Sequence, residues 1–170
     1  DMYSELCALF KYRNLNIDEY ELGSLSKKLV VGDREDRSFG LAIKAYLNCL
    51  KENDNIKEAV QAAIIASDIN HSFRYFFELV LRYAIDRSLY LGDYNSANKY
   101  LDDFLNLTAK KAWYLLKMGL LKQQQGELSR AQRYYSMALS DANLTGDIEM
   151  NGRALLHLGI IDRINENYNA

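Results

Sequence analysis

An all-α chain assembled from helix hairpins is predicted by three observations. Apolar residues recur at steps of three and four along most of the 170 residues, the period of an amphipathic helix. Proline is absent and glycine fills only 9 positions, so nothing asks for the turn density of a β-sandwich. A common pattern of small, aromatic and apolar residues returns at a nearly regular interval, which marks an internal repeat. Apolar residues at 49% and charged residues at 26% exclude general disorder, and the length suits one domain over residues 1–170.

Residues 1–39 form the least regular part. Ala8 and Ile17 fit the helical frame, but Tyr20 stands where a small residue is expected. The repeats are clearer over 40–170. Leu41, Ala42, Ala45, Tyr46, Cys49 and Leu50 make one apolar stripe; Asp54-Asn55-Ile56 reads as a turn, and Ala59, Ala63 and Ala66 line the helix after it. Leu79, Val80, Tyr83 and Ala84 carry the stripe to a turn at Gly92-Asp93-Tyr94, beyond which Ala97, Leu101, Phe104 and Leu105 fill the next helix. A helix is expected from about Lys111 to Gln124, a turn at Gly126, and a second helix from near Ser129. Asp93 and Ser129 suit helix N-caps, since a short side-chain oxygen there accepts from a free backbone N–H. Leu155, Leu158 and Gly159 belong to a last helix, and Tyr168 is expected to follow a turn. The chain reads as a fragment of a longer protein.

The segment Leu115–Asn143 carries Gly119, Gly126, Ala131, Tyr135, Ala138 and Leu139 at offsets that resemble the tetratricopeptide repeat, a helix-turn-helix unit of about 34 residues. Its equivalents of the first small site are Ala8, Leu47, Ile85, Gly119 and Gly159, spaced by 39, 38, 34 and 40 residues. The resemblance implies a right-handed α-solenoid of about four to five such units, in which small residues let paired helices approach and each hairpin needs its neighbours for a core. The family's proline near the end of the second helix is missing, with Asn143 in its place. The irregular spacing and the Asn-, Tyr- and Lys-rich helices are also similar to the peptide-pheromone receptors of Gram-positive bacteria and to the arbitrium receptors of their phages. Residues 32–77 share that cadence.

Charge and motifs narrow the function classes. Lys plus Arg number 21 against 23 for Asp plus Glu, a net charge of -2, which disfavours a domain that grips nucleic acid by itself. Nucleic acid would enter only through a flanking domain. The longest apolar runs, such as Ala62–Ala66 and Ala112–Leu116, are five residues, far short of the ~20 needed to span a bilayer. Cys7 and Cys49 read as buried thiols of a reducing, cytoplasmic compartment. Walker A, G-x-G-x-x-G, G-x-S-x-G and H-E-x-x-H motifs are all absent, and neither the two histidines nor the two cysteines have metal-ligand spacing. An enzyme, a cofactor and a metal are therefore not expected. The acidic groups Asp33, Glu35 and Asp36, and Asp102 and Asp103, read as solvated faces, and the tyrosines as packing residues.

By the family resemblance, ligand would lie along the first helix of each unit, on the side away from the second. Those positions are Lys44, Asn48 and Lys51, then Arg82, Asp86 and Tyr90. Next come Lys117, Leu120, Gln123 and Gln124, and finally Arg153, His157 and Arg163. Their long polar side chains suit peptide backbone and carboxylate groups. Lys44 and Asn48 match two positions of the family's carboxylate clamp, whereas Trp113 stands where another clamp lysine belongs. The expected function is binding of a short peptide or partner segment by a regulatory protein, with a static scaffold as the rival. A nucleic-acid-binding helical repeat is a third and poorer fit. Exposed apolar faces on the terminal units would favour a homodimer.

Overall fold

The computed structural model describes residues 4–8, 22–50 and 55–168; these are almost entirely helical and contain no strand. After a short helical stretch at 4–8 come α1 (Leu22–Val30), α2 (Arg34–Leu50), α3 (Ile56–Ile69) and a 3-10 turn (His71–Phe73). Then follow α4 (Arg74–Leu91), α5 (Tyr94–Leu107), α6 (Lys111–Gln124), α7 (Leu128–Thr145) and α8 (Ile148–Tyr168). Contacts cluster into two compact units, Asp1–Ala84 and Ile85–Ala170, divided within α4. Ile17, Tyr20, Lys51 and Asp54 lie outside the described residues.

In the first unit α1 packs on α2, α2 on α3, and α3 on the 3-10 turn. The core stripe of α2 is the one its period of three and four foretells: Leu41, Ala42, Ala45, Tyr46 and Cys49 are all buried. Phe39 meets Phe73 edge-on, with centroids 5.0 Å apart, and so ties α2 to the turn. Asp33 opens α2 by accepting from the backbone N–H of Asp36 at 2.8 Å. Its carboxylate therefore has a structural job beyond solvation. The helix start is further favoured by Glu35 and Asp36 in the first turn, where negative charge meets the positive end of the dipole.

In the second unit α5 packs on α6, α6 on α7 and α7 on α8, while α6 also touches α8. The turns fall where glycine permits them. Gly92 and Gly126 adopt φ of 71° and 78°, a left-handed conformation costly for any residue with a Cβ. Asp93 caps α5 by accepting from Ser96 N at 3.1 Å. Gly119 makes room for a side chain of α7 against α6, because a Cβ there would stand 2.6 Å from Cδ1 of the buried Tyr135.

Three local expectations are corrected. Ser129 is not the cap of α7: the helix begins at Leu128, and Glu127 holds the cap position without a side-chain capping bond. The Glu127 carboxylate is taken instead by Lys122 at 3.2 Å and Arg130 at 2.5 Å, which hold it below its ordinary pKa. Gly159, expected as the small site of a last close crossing, has open space: among the described residues nothing lies within 4 Å of a Cβ placed there. Tyr168 follows no turn, because α8 continues unbroken from Ile148 to Tyr168.

Candidate functional site

The first unit holds an open cleft of about 750 Å³ between three helices. Among the described residues, Gly23, Ser26, Lys27 and Val30 of α1 form one wall, and Lys44, Leu47 and Asn48 of α2 and Glu58 of α3 line the others. Its geometry starts at Gly40. A Cβ at that position would lie 2.7 Å from Val30 N and 3.0 Å from the Leu29 carbonyl carbon, so only glycine lets the two backbones meet there. Ser26 Oγ reinforces the crossing by donating to the Gly40 carbonyl at 2.8 Å. From this pinned point successive turns of α2 present Lys44 and then Asn48, while Lys27 and Gly23 follow backward along α1.

Asn48 is only 4% exposed, yet its Nδ2 is buried with no hydrogen-bond partner among the described residues. An unpaired buried amide donor costs about 1–3 kcal/mol, so its retention at a cleft wall requires a reason. Lys27, Lys44 and Glu58 are exposed around it, and Val30 and Leu47 supply apolar surface. The set can donate to a carbonyl or carboxylate oxygen, cover an apolar side chain and orient a charged segment. Neighbouring Cys49 contributes no nucleophile: burial pushes its thiol up to about 12, and thiolate is the reactive form.

A second group of polar side chains lies in the second unit. Lys117 is buried, with its ammonium 2.5 Å from Asp86 Oδ1 and 5.3 Å from the Trp113 ring centroid. Trp113 is itself packed on Phe104, with centroids 4.4 Å apart. Tyr135 donates its hydroxyl hydrogen to Gln123 Oε1 at 2.6 Å, and its ring stacks on His157 at 4.9 Å. Burial pushes the Tyr135 phenol up, and burial followed by the Lys117 and Arg153 cations pushes the His157 imidazolium down. His157 Nδ1 is buried and has no hydrogen-bond partner among the described residues.

Of the residues expected to touch ligand, Lys44 and Asn48 share the cleft, and Asp86, Lys117, Gln123 and His157 share the polar cluster, with Arg153 one turn before His157. Arg153 pairs with Glu149 at 2.8 Å. Arg82 pairs with Glu78 at 3.1 Å on its own helix. Tyr90 is 79% exposed beneath the Arg87 guanidinium, and Gln124 is exposed, its carbonyl accepting from Tyr94 Oη at 3.3 Å. Lys51 is outside the described residues. The α1 wall and Glu58 were missed by the sequence reading. Gly40 within an apolar helical run was the available signal, since such a glycine often marks a close backbone approach.

Among the described residues no group of three or more His, Cys, Asp or Glu side chains could hold a metal ion, and no helix is long and apolar enough to cross a membrane. No family model, curated protein or solved structure matches the chain.

Proposed function

We propose that this chain is a non-enzymatic, TPR-like helical-repeat domain of a regulatory protein, and that its first unit binds a short peptide or a partner's segment in the cleft between α1, α2 and α3. The observation that carries the reading is the Asn48 amide, buried at the cleft with an unused donor. Nδ2 has almost no accessible surface, so a ligand's main-chain carbonyl reaches it only as the cleft wall parts; the bond then removes the desolvation cost and fixes the ligand's register. Val30 and Leu47 cover an apolar side chain, while Lys27 and Lys44 on one side and Glu58 on another select its charge and direction. The repeat reading is supported by the Gly119–Tyr135 packing and by the contact of α6 with both α7 and α8. Free thiols at Cys7 and Cys49 suit a reducing compartment such as the cytoplasm.

Selection of random linear peptides on the chain, repeated on Asn48→Leu and Lys44→Glu, tests this. Asn48→Leu is expected to abolish capture while leaving stability equal or higher by about 1 kcal/mol, because it removes a buried unpaired donor. Lys44→Glu should weaken capture and leave the urea midpoint unchanged, since Lys44 is exposed. Peptides that bind both variants as well as the parent would refute the cleft as the binding site.

A further inference from the structure

We propose that the outer face of α8 pairs with the same face of a second copy of the chain, antiparallel and across a two-fold axis. The face is defined by what α8 leaves uncovered. Met150, Ala154 and Ile161 are buried and His157 stacks on Tyr135, so that side of the helix turns to α6 and α7. At 100° per residue the opposite side carries Ile148, Gly152, Leu155, Leu156, Gly159 and Arg163. Ile148 is 87% exposed, Leu155 53% and Leu156 63%. Large apolar side chains gathered on one face of a helix mark a contact surface, unlike exposed leucines scattered singly.

The order of these residues shows which partner fits. From Ile148 to Arg163 the steps are four, three, one, three and four, the same in either direction. An isologous contact needs this property, since each residue must find its counterpart on the same patch. With two copies antiparallel about the midpoint between Leu155 and Leu156, Gly152 falls opposite the partner's Gly159 and the leucines of both copies meet at the centre. A Cβ at either glycine would meet nothing within 4 Å among the described residues, so neither serves a crossing inside the chain. Glycine is nevertheless among the poorest residues for a helix interior. Set opposite one another, the two let the helix axes approach to about 8 Å, the close end of helix packing.

Charge agrees with the antiparallel order. Glu149 and Arg163 are both exposed and lie on one flank of the stripe, near its opposite ends. A two-fold axis brings each flank against its own copy, so Glu149 stands beside the partner's Arg163 at both ends of the contact. Asp162 lies on the other flank, where Gln132 of α7 donates to it at 3.4 Å. The Glu149–Arg153 pair within α8 is solvent-exposed and holds Glu149 only weakly. A parallel pair would instead set like charges together. One helix pair buries less than the ~1,200 Å² of a stable complex, so the dimer is reversible. The contact is independent of the cleft in the first unit and stands if that cleft proves empty.

Sedimentation equilibrium of the chain from about 1 to 500 μM tests this, with a dissociation constant on the order of 50 μM expected. Leu156→Glu and, separately, Gly159→Leu should weaken the dimer about tenfold or more. The helical circular dichroism of the monomer should not change, because Leu156 is exposed and Gly159 faces open space. Arg163→Glu should weaken the dimer severalfold, and adding Glu149→Arg to it should restore the parent affinity. A chain that stays monomeric throughout overturns the proposal and leaves the face to a helix of another protein. Dimers that Leu156→Glu and Gly159→Leu both leave intact overturn it by placing the contact elsewhere, and a charge exchange that restores nothing overturns the antiparallel register.

Discussion

Both units place a glycine at a helix crossing, but they fill the space beside it differently. At Gly40 the approaching atoms belong to the α1 backbone, and farther along the same pair of helices the contact opens into a cleft with an unsatisfied amide. At Gly119 the approaching atoms are the ring of Tyr135, whose hydroxyl and other face are occupied by Gln123 and His157. One packing device therefore serves two ends. Backbone-to-backbone contact pins α1 and leaves room beyond it, whereas an aromatic wedge fills the gap and ties itself to Gln123. Burial of the Tyr135 ring stabilises the second crossing by about 2 kcal/mol, a contribution the open cleft cannot supply.

The sharpest way to break this contrast is Gly40→Ala. Its new methyl meets Val30 N, which cannot move aside without shifting α1, so a loss of about 3 kcal/mol is expected by urea unfolding. Val30→Ala in the same chain should rescue little, because the obstacle is backbone. Gly119→Ala should cost less, about 2 kcal/mol, since a side chain can give way where a backbone cannot. Adding Tyr135→Leu should lower the cost of the alanine, and a double-mutant cycle would show the coupling. Equal costs at the two glycines, with no coupling to Tyr135, would mean that the crossings are not distinguished in this way.

Tyr135→Phe keeps the wedge and removes only its hydrogen bond to Gln123. A loss of about 1 kcal/mol is expected, and a neutral result would show that Gln123 is equally well served by water. The smallest effect concerns pH. The folded pKa of His157 lies below its unfolded value of 6.5, so the unfolded chain binds the proton more readily. Stability is unaffected above the unfolded pKa and declines as pH falls below it, until the folded group also titrates. Urea midpoints between pH 7.5 and 5 should show this decline, and His157→Gln should flatten it. Amide exchange resolved by residue should place the decline in the second unit and spare the cleft.

Much of the helical pattern was legible in the residues because its causes are local. Steps of three and four select the helix, a left-handed glycine ends it, and Asp93 caps the next one within three residues. Gly119 was legible as a site of close helix approach, but its neighbour was not: Ala131 or Ala138 was expected there, with Tyr135 in the gap to the next unit, whereas the Tyr135 ring itself meets Gly119. Ser129 was misassigned because a serine near a turn satisfies the capping pattern one or two residues away from the actual start. The α1 wall of the cleft was not legible. Gly23, Ser26 and Lys27 carry no repeat signal, and only the Gly40 crossing turns their side toward α2.

Sequence by itself determined that the chain is all-α and where most helices turn, because these depend on backbone conformation and period over short distances; which small residues admit a neighbour it did not, since Gly159 meets nothing among the described residues and Gly40 makes the tight crossing. Tertiary structure alone decided which polar side chains are left without partners. Asn48 and His157 are ordinary helix residues in sequence; their meaning depends on desolvation by helices many residues away, and burial of an unpaired polar atom is a property of the assembled core.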